Sequence, residues 1–186
     1  MEELFNDSKL VDIKEKVLAG ERLNREDGIR LMKSNDLLTI GYLADYARKE
    51  KCGDEVYFIN NRHINHTNVC EVQCKFCAFA KEEEEEGAYT MNLEEIAKGI
   101  DDSPPGISEL HIVGGCHHNL PLEYFEEMLR LVKEKRPDVY VQSLTAVEIA
   151  YLAEQAGLSV RETLKRLKAA GLDSIPGGGA EVFSPR

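Results

Sequence analysis

Ile64-Asn65-His66-Thr67-Asn68-Val69-Cys70-Glu71-Val72-Gln73-Cys74-Lys75-Phe76-Cys77-Ala78-Phe79 is the stretch that sets the organisation of this chain. Its first six residues read as a short β-strand, which runs directly into three cysteines spaced C-x3-C-x2-C. These cysteines are the only group of strong metal ligands in the sequence. A loop with this spacing can wrap three corners of a cubane iron–sulfur cluster, whereas most protein-held clusters use four cysteines. The fourth iron is then open to an outside molecule, and an open position distinguishes a catalytic metal site from a structural one. A structural zinc, completed by Cys52, His63 or His66, is the competing reading. Zinc knuckles usually come as matched pairs, and no second pair follows here.

Working outward, the loop leaves the C-terminal end of a strand, where ligand sites form in α/β sheets and barrels. Upstream, Val56-Tyr57-Phe58-Ile59 also reads as a strand. Residues 8 to 50 carry helical punctuation, with Asn24 as an N-cap and a third helix over Leu37 to Arg48 that places Leu38, Tyr42, Leu43 and Tyr46 on one side. Downstream, Lys81 and Glu82 to Glu86 form a self-repelling charge block, read as a solvated connection or a lid over the site. Helix and strand then alternate. Asn92 caps a helix through Ile100, and Glu109 to Val113 is a strand. Pro121 opens a helix to Lys135, and Val139 to Leu144 is a strand. Helices follow over Ala146 to Gln155 and Val160 to Ala170, with a last short strand at Leu172 to Ile175.

This βαβ repetition predicts an α/β fold with a parallel sheet or barrel. The expected domains are an N-terminal helical cap at 1–52 and a half-barrel at 53–186. A complete eight-stranded barrel has typically ~250 residues. The chain is therefore expected to be an N-terminal fragment, a truncated gene product or half of a split enzyme, partnered by a missing C-terminal half.

The net charge of −11, from 34 acidic against 23 basic residues, argues against a general nucleic-acid-binding surface. It leaves room for a small-molecule substrate. No apolar run approaches the ~20 residues of a membrane span, and the acidic start lacks the regions of a signal peptide. Five cysteines, three of them in one loop, suit a reducing cytoplasmic compartment and metal binding rather than disulfides.

The cysteine loop, with Phe76 before its last cysteine, resembles that of the radical S-adenosylmethionine enzymes. Several further stretches narrow the likeness: Asn61-Arg62-His63-Ile64-Asn65-His66-Thr67-Asn68-Val69 leading in, Gly87-Ala88-Tyr89-Thr90-Met91, His111-Ile112-Val113-Gly114-Gly115, and Pro176-Gly177-Gly178-Gly179-Ala180-Glu181. Together they are similar to the aminofutalosine synthases of the futalosine route to menaquinone, over about the first half of that family's length. The dehypoxanthine futalosine cyclases and the deazaflavin (FO) synthase subunit share the loop and are the nearest alternatives. A non-catalytic zinc-binding module is the alternative of a different class.

The resemblance implies a radical-SAM TIM-type (β/α) barrel, a [4Fe-4S] cluster on Cys70, Cys74 and Cys77, S-adenosyl-L-methionine as co-substrate, and an external electron donor. It implies a transferase reaction that adds the 5′-deoxyadenosyl radical to 3-[(1-carboxyvinyl)oxy]benzoate, giving 6-amino-6-deoxyfutalosine. Phe76 is expected beside the adenine. Gly114 and Gly115, without side chains at a strand end, let the backbone approach a ligand, and by resemblance they meet the methionine end of the cofactor. Glu148, Gly177 and Glu181 are further cofactor candidates. Arg62, Asn65, His66, Asn68 and His117 are candidates for substrate contact. His111 alternates with Leu110 and Ile112 and is expected to point into the barrel, as a core histidine or a catalytic one.

Overall fold

The computed structural model describes residues 9–177. The chain divides into two compact units, Met1–Phe58 and Ile59–Arg186.

The first unit holds helices α1 (Val11–Leu18), α2 (Arg25–Lys33) and α3 (Leu37–Cys52). Asn24 caps α2 through a reciprocal box in which its side chain accepts from the Asp27 N–H and Asp27 accepts from the Asn24 N–H. The buried Asp27 carboxylate also pairs with Lys16 at 2.8 Å. Leu10, Ile13 and Leu43 form a small core. Helix α3 outruns the expected end at Arg48 and stops at Gly53, whose φ of 64° breaks helical geometry. Leu38, expected on the packed side, is exposed in the first turn.

The second unit contains β1 (Asn61–Ile64), α4 (Leu93–Asp101), β2 (Glu109–Ile112), α5 (Leu122–Lys135), β3 (Tyr140–Ser143), α6 (Ala146–Gln155) and α7 (Val160–Ala170). The three strands form one parallel sheet in the order β1-β2-β3. In register, His63 stands beside His111, and His111 beside Gln142. Alternation along each strand sends Ile64, Leu110, Ile112 and Val141 into a core shared with Ile96 and Ile100 of α4, Phe125, Met128 and Leu129 of α5, Ile149 and Leu152 of α6, and Leu167 of α7. Each such buried aliphatic side chain contributes about 1.5–3 kcal/mol of transfer free energy. The helices therefore cover one sheet face, and the other carries His63, His111 and Gln142.

Among the described residues the expected partial barrel is an open three-stranded parallel sheet. Three expected strands need correction. Val56-Tyr57-Phe58-Ile59 is not a strand: its side chains are 64–89% exposed, and among the described residues no neighbouring strand takes up its backbone groups, so β-branched and aromatic composition alone does not suffice. The strand expected over residues 64–69 ends at Ile64. Beyond it, Thr67 makes one antiparallel bridge to Thr90 and Val69 one parallel bridge to Lys81. Here side chains replace the ladder. Thr67 Oγ1 donates to the Tyr89 carbonyl at 2.8 Å, while Asn68 accepts from the Tyr89 N–H at 2.8 Å and donates to the Gly87 carbonyl at 2.9 Å. The strand expected at Leu172 to Ile175 is reduced to one bridge between Ser174 and Gln142.

Candidate metal and cofactor site

The three cysteines lie on a loop fixed at its base and free at its tip. At the base, the Cys70 N–H donates to the Lys81 carbonyl at 3.1 Å, the Lys81 N–H to the Asn68 carbonyl at 2.9 Å, and the Glu71 N–H to the Cys116 carbonyl at 3.0 Å. Gln73 turns the chain with φ 47° and donates its side-chain amide to the Cys70 carbonyl at 2.9 Å. At the tip, the Cys77 N–H closes a turn on the Cys74 carbonyl at 2.9 Å. Cys70 is half-buried, whereas Cys74 and Cys77 are exposed. Phe76 projects fully into solvent.

Among the described residues no group of three or more His, Cys, Asp or Glu side chains is already gathered as a metal cage. The donor set is nonetheless chemically matched to an iron–sulfur cluster: three thiols on one loop, two of them outside the core and free to turn inward. The zinc reading needs a fourth protein ligand, and two of its candidates have other engagements. His63 stacks on His111, with ring centroids 4.9 Å apart. His66 is buried against the Phe125 ring edge, 5.2 Å between centroids. Cys52 ends α3 in the first unit.

Beside this loop lies the turn after β2. A side chain at Gly115 would place its Cβ 2.0 Å from the Val69 carbonyl oxygen and 3.0 Å from Cys70 Cβ. At Gly114 the Cβ would fall 2.5 Å from the His66 ring. Both glycines are thus required by close packing of this turn on the segment that delivers Cys70. Their N–H groups are engaged as well: Gly115 donates to the Thr67 carbonyl at 3.0 Å, and Gly114 to Glu148 Oε1 at 3.1 Å.

Glu148 is buried, and its other oxygen accepts from the Thr145 N–H at 2.7 Å, completing the capping box of α6. Burial pushes its carboxyl upward, against the lowering effect of these bonds. It therefore ties the start of α6 to the glycine turn.

His66 is fully buried, neither ring nitrogen has a hydrogen-bond partner among the described residues, and desolvation lowers its pKa to about 4. Asn68 is buried and spends its amide on Gly87 and Tyr89. Asn65 is half-buried after β1, and Arg62 is exposed on β1. His117 is buried, accepts from the Asn119 N–H at 3.0 Å, and has its pKa lowered by desolvation. Gly177 is exposed at the end of the described chain, and Glu181 lies outside the described residues.

Sequence reasoning put Cys116 at the sheet end after the glycine pair but did not bring it beside Cys70. Its thiol is buried beside that of Cys70, and burial, reinforced by the Cys70 and Glu148 charges, pushes it up to about 12. The acidic turn also engages the site: His118 contacts Glu83 at 3.3 Å and Glu71 at 3.5 Å, and Glu71 accepts from the Tyr151 hydroxyl.

A sequence profile of the Radical SAM superfamily matches residues 64–184. The chain is 41% identical over 183 residues to aminodeoxyfutalosine synthase of Thermus thermophilus, covering 98% of this chain and 49% of that protein. It is 35% identical over 183 residues to a 5-amino-6-(D-ribitylamino)uracil–L-tyrosine 4-hydroxyphenyl transferase of Microcystis aeruginosa, covering 94% and 48%. The chain spans about half the length of these curated relatives. Its backbone is similar to the crystal structure of methylornithine synthase, with a TM-score of 0.57 at 18% identity, over 88% of this chain and 57% of that one, a likeness of fold alone.

Proposed function

The chain belongs to the Radical SAM superfamily, and we propose that it is the cluster-binding part of an enzyme of the aminofutalosine synthase type. The observation that carries this is the cysteine loop itself, three thiols held at the C-terminal side of a parallel sheet against a glycine turn. In this reading Cys70, Cys74 and Cys77 hold a [4Fe-4S] cluster, and S-adenosyl-L-methionine takes the open iron. When bound, the pair supplies a 5′-deoxyadenosyl radical from one electron of an external donor.

The chain's own residues do the positioning. The Val69–Lys81 bridge and the Cys70 N–H fix the loop base. Gly115 allows the Val69 carbonyl its close approach, and Glu148 holds the Gly114 amide. Phe76 stands on the solvent side of the loop, available to an adenine. The overall reaction proposed is addition of the deoxyadenosyl group to the enol ether of 3-[(1-carboxyvinyl)oxy]benzoate, with loss of the carboxylate as bicarbonate, to give 6-amino-6-deoxyfutalosine. Because the relatives are about twice as long, the sheet is proposed as part of a larger barrel whose remaining strands enclose the substrate and exclude water. A cytoplasmic setting fits the reduced thiols. Among the described residues no helix is long and apolar enough to cross a membrane.

The test is anaerobic reduction with S-adenosyl-L-methionine. 5′-Deoxyadenosine is expected from the cluster-loaded chain, and 6-amino-6-deoxyfutalosine when the C-terminal half of the Thermus synthase is supplied with the enol ether. Product from dehypoxanthine futalosine alone would move the assignment to the cyclases. One tightly held zinc, without iron, sulfide or deoxyadenosine, would replace it with a zinc-binding module.

A further inference from the structure

The sheet face away from the helices carries a polar row that the cluster chemistry does not use. His63, His111 and Gln142 are Cα partners across β1, β2 and β3, and Ser174 extends the row through its bridge to Gln142. Four successive segments thus place one polar side chain each at the same height. The imidazoles of His63 and His111 lie 4.9 Å apart at 51°. Ser174 Oγ is buried without a hydrogen-bond partner among the described residues.

We propose that this row receives the carboxylate of an aromatic acid substrate, with the His63–His111 pair as its principal contact. The inference rests on the synthase reading above, whose substrate is a benzoate. Each imidazole offers a ring N–H to a carboxylate oxygen, and with the ring centroids 4.9 Å apart the two can donate to the two oxygens of one carboxylate. Gln142 and Ser174 add neutral donors to the row.

Position supports the same occupant. On the inward side one step below His111 stands Glu109, hydrogen-bonded by the Asn61 amide at 3.4 Å, whose charge keeps an anion from sinking deeper. The row is two residues below Asn65 and Val113, roughly 6–7 Å at strand rise. A benzoate anchored there by its carboxylate therefore presents its opposite side chain toward the end of the sheet from which the cysteine loop departs.

Imidazole NMR on histidine-labelled chain tests this directly, with sodium benzoate and the neutral benzamide as probes and His63→Asn and His111→Asn as assignment and affinity variants. Benzoate is expected to shift the His63 and His111 signals, benzamide much less, and His63→Asn to weaken benzoate by about tenfold. His63 is exposed, so that variant is expected to keep the wild-type melting temperature. Equal response to both probes, movement confined to His117 and His118, or no response at the highest soluble benzoate concentration would overturn the proposal. The measurement needs neither cluster nor turnover. Benzoate binding without the expected product would remove the reaction and leave the site, and product without benzoate binding would do the reverse.

Discussion

Gly115→Ala is the sharpest perturbation the site offers. The new Cβ would stand 2.0 Å from the Val69 carbonyl oxygen and 2.7 Å from its carbon, so backbone rather than a flexible side chain has to give way, by at least about 1 Å to reach the 3.0 Å that real Cβ contacts respect. The segments that must part are joined by the hydrogen bond from the Gly115 N–H to the Thr67 carbonyl and by that from the Glu71 N–H to the Cys116 carbonyl, both 3.0 Å. Losing them costs about 1 kcal/mol each, and residual crowding brings the total to about 2–4 kcal/mol. The expected fall in melting temperature is roughly 4–16 °C. Because Cys70 follows Val69, the displacement reaches the first thiolate, and a 1 Å misplacement lowers deoxyadenosine formation by about 100-fold. The control is Gly99→Ala inside α4, where the nearest atom is Ile64 Cδ1 at 3.5 Å and helix propensity favours alanine by about 1 kcal/mol. Thermal melting, iron content after anaerobic reconstitution and deoxyadenosine yield are the assays. If Gly115→Ala matches wild type in all three, the close approach does not position Cys70.

In the metal-free chain, exposed Cys52, Cys74 and Cys77 should react with iodoacetamide before Cys70, and Cys116 only on unfolding, because its thiol is buried and held protonated; after cluster loading Cys52 should stay reactive while the loop cysteines become protected, as peptide mass spectrometry would show. Burial holds the His66 pKa at about 4 against 6.5 unfolded. The unfolded chain then takes up the proton first, so His66 contributes full stability above pH 6.5 and loses about 3 kcal/mol of it as pH falls to 4. Urea unfolding should show this slope, and His66→Phe should flatten it; an unchanged slope would contradict the burial. Asn68→Ala removes both buried contacts to Gly87 and Tyr89 and should cost about 2–3 kcal/mol in the same assay, with a null effect refuting their role as the clamp on this segment.

What could be read from the sequence was what depends on neighbours in the chain. Asn24 and Asn92 cap helices because their partners stand three residues on, and the bounds of α6 and α7 follow from local caps and periodicity. The cysteine spacing is equally local. What failed depended on remote pairing: Val56 to Ile59 has the composition of a strand but no strand beside it, and Leu172 to Ile175 keeps only the Ser174 bridge. In the site, the glycine pair and Glu148 drew notice, but the reasons for their placement lie in residues far along the chain. His66 flattens against Gly114, Val69 against Gly115, and Glu148 reaches back to the Gly114 amide. Cys116 shows no signal in its own neighbourhood, since its proximity to Cys70 arises only when β2 lies beside β1.

Electron paramagnetic resonance on anaerobically reconstituted, dithionite-reduced protein tests the central claim most directly. A [4Fe-4S]⁺ signal that changes on adding S-adenosyl-L-methionine, and that is lost when Cys70, Cys74 or Cys77 is replaced by alanine, is the predicted result. A protein that takes up zinc but no iron, or whose cluster signal ignores the added sulfonium, would contradict it.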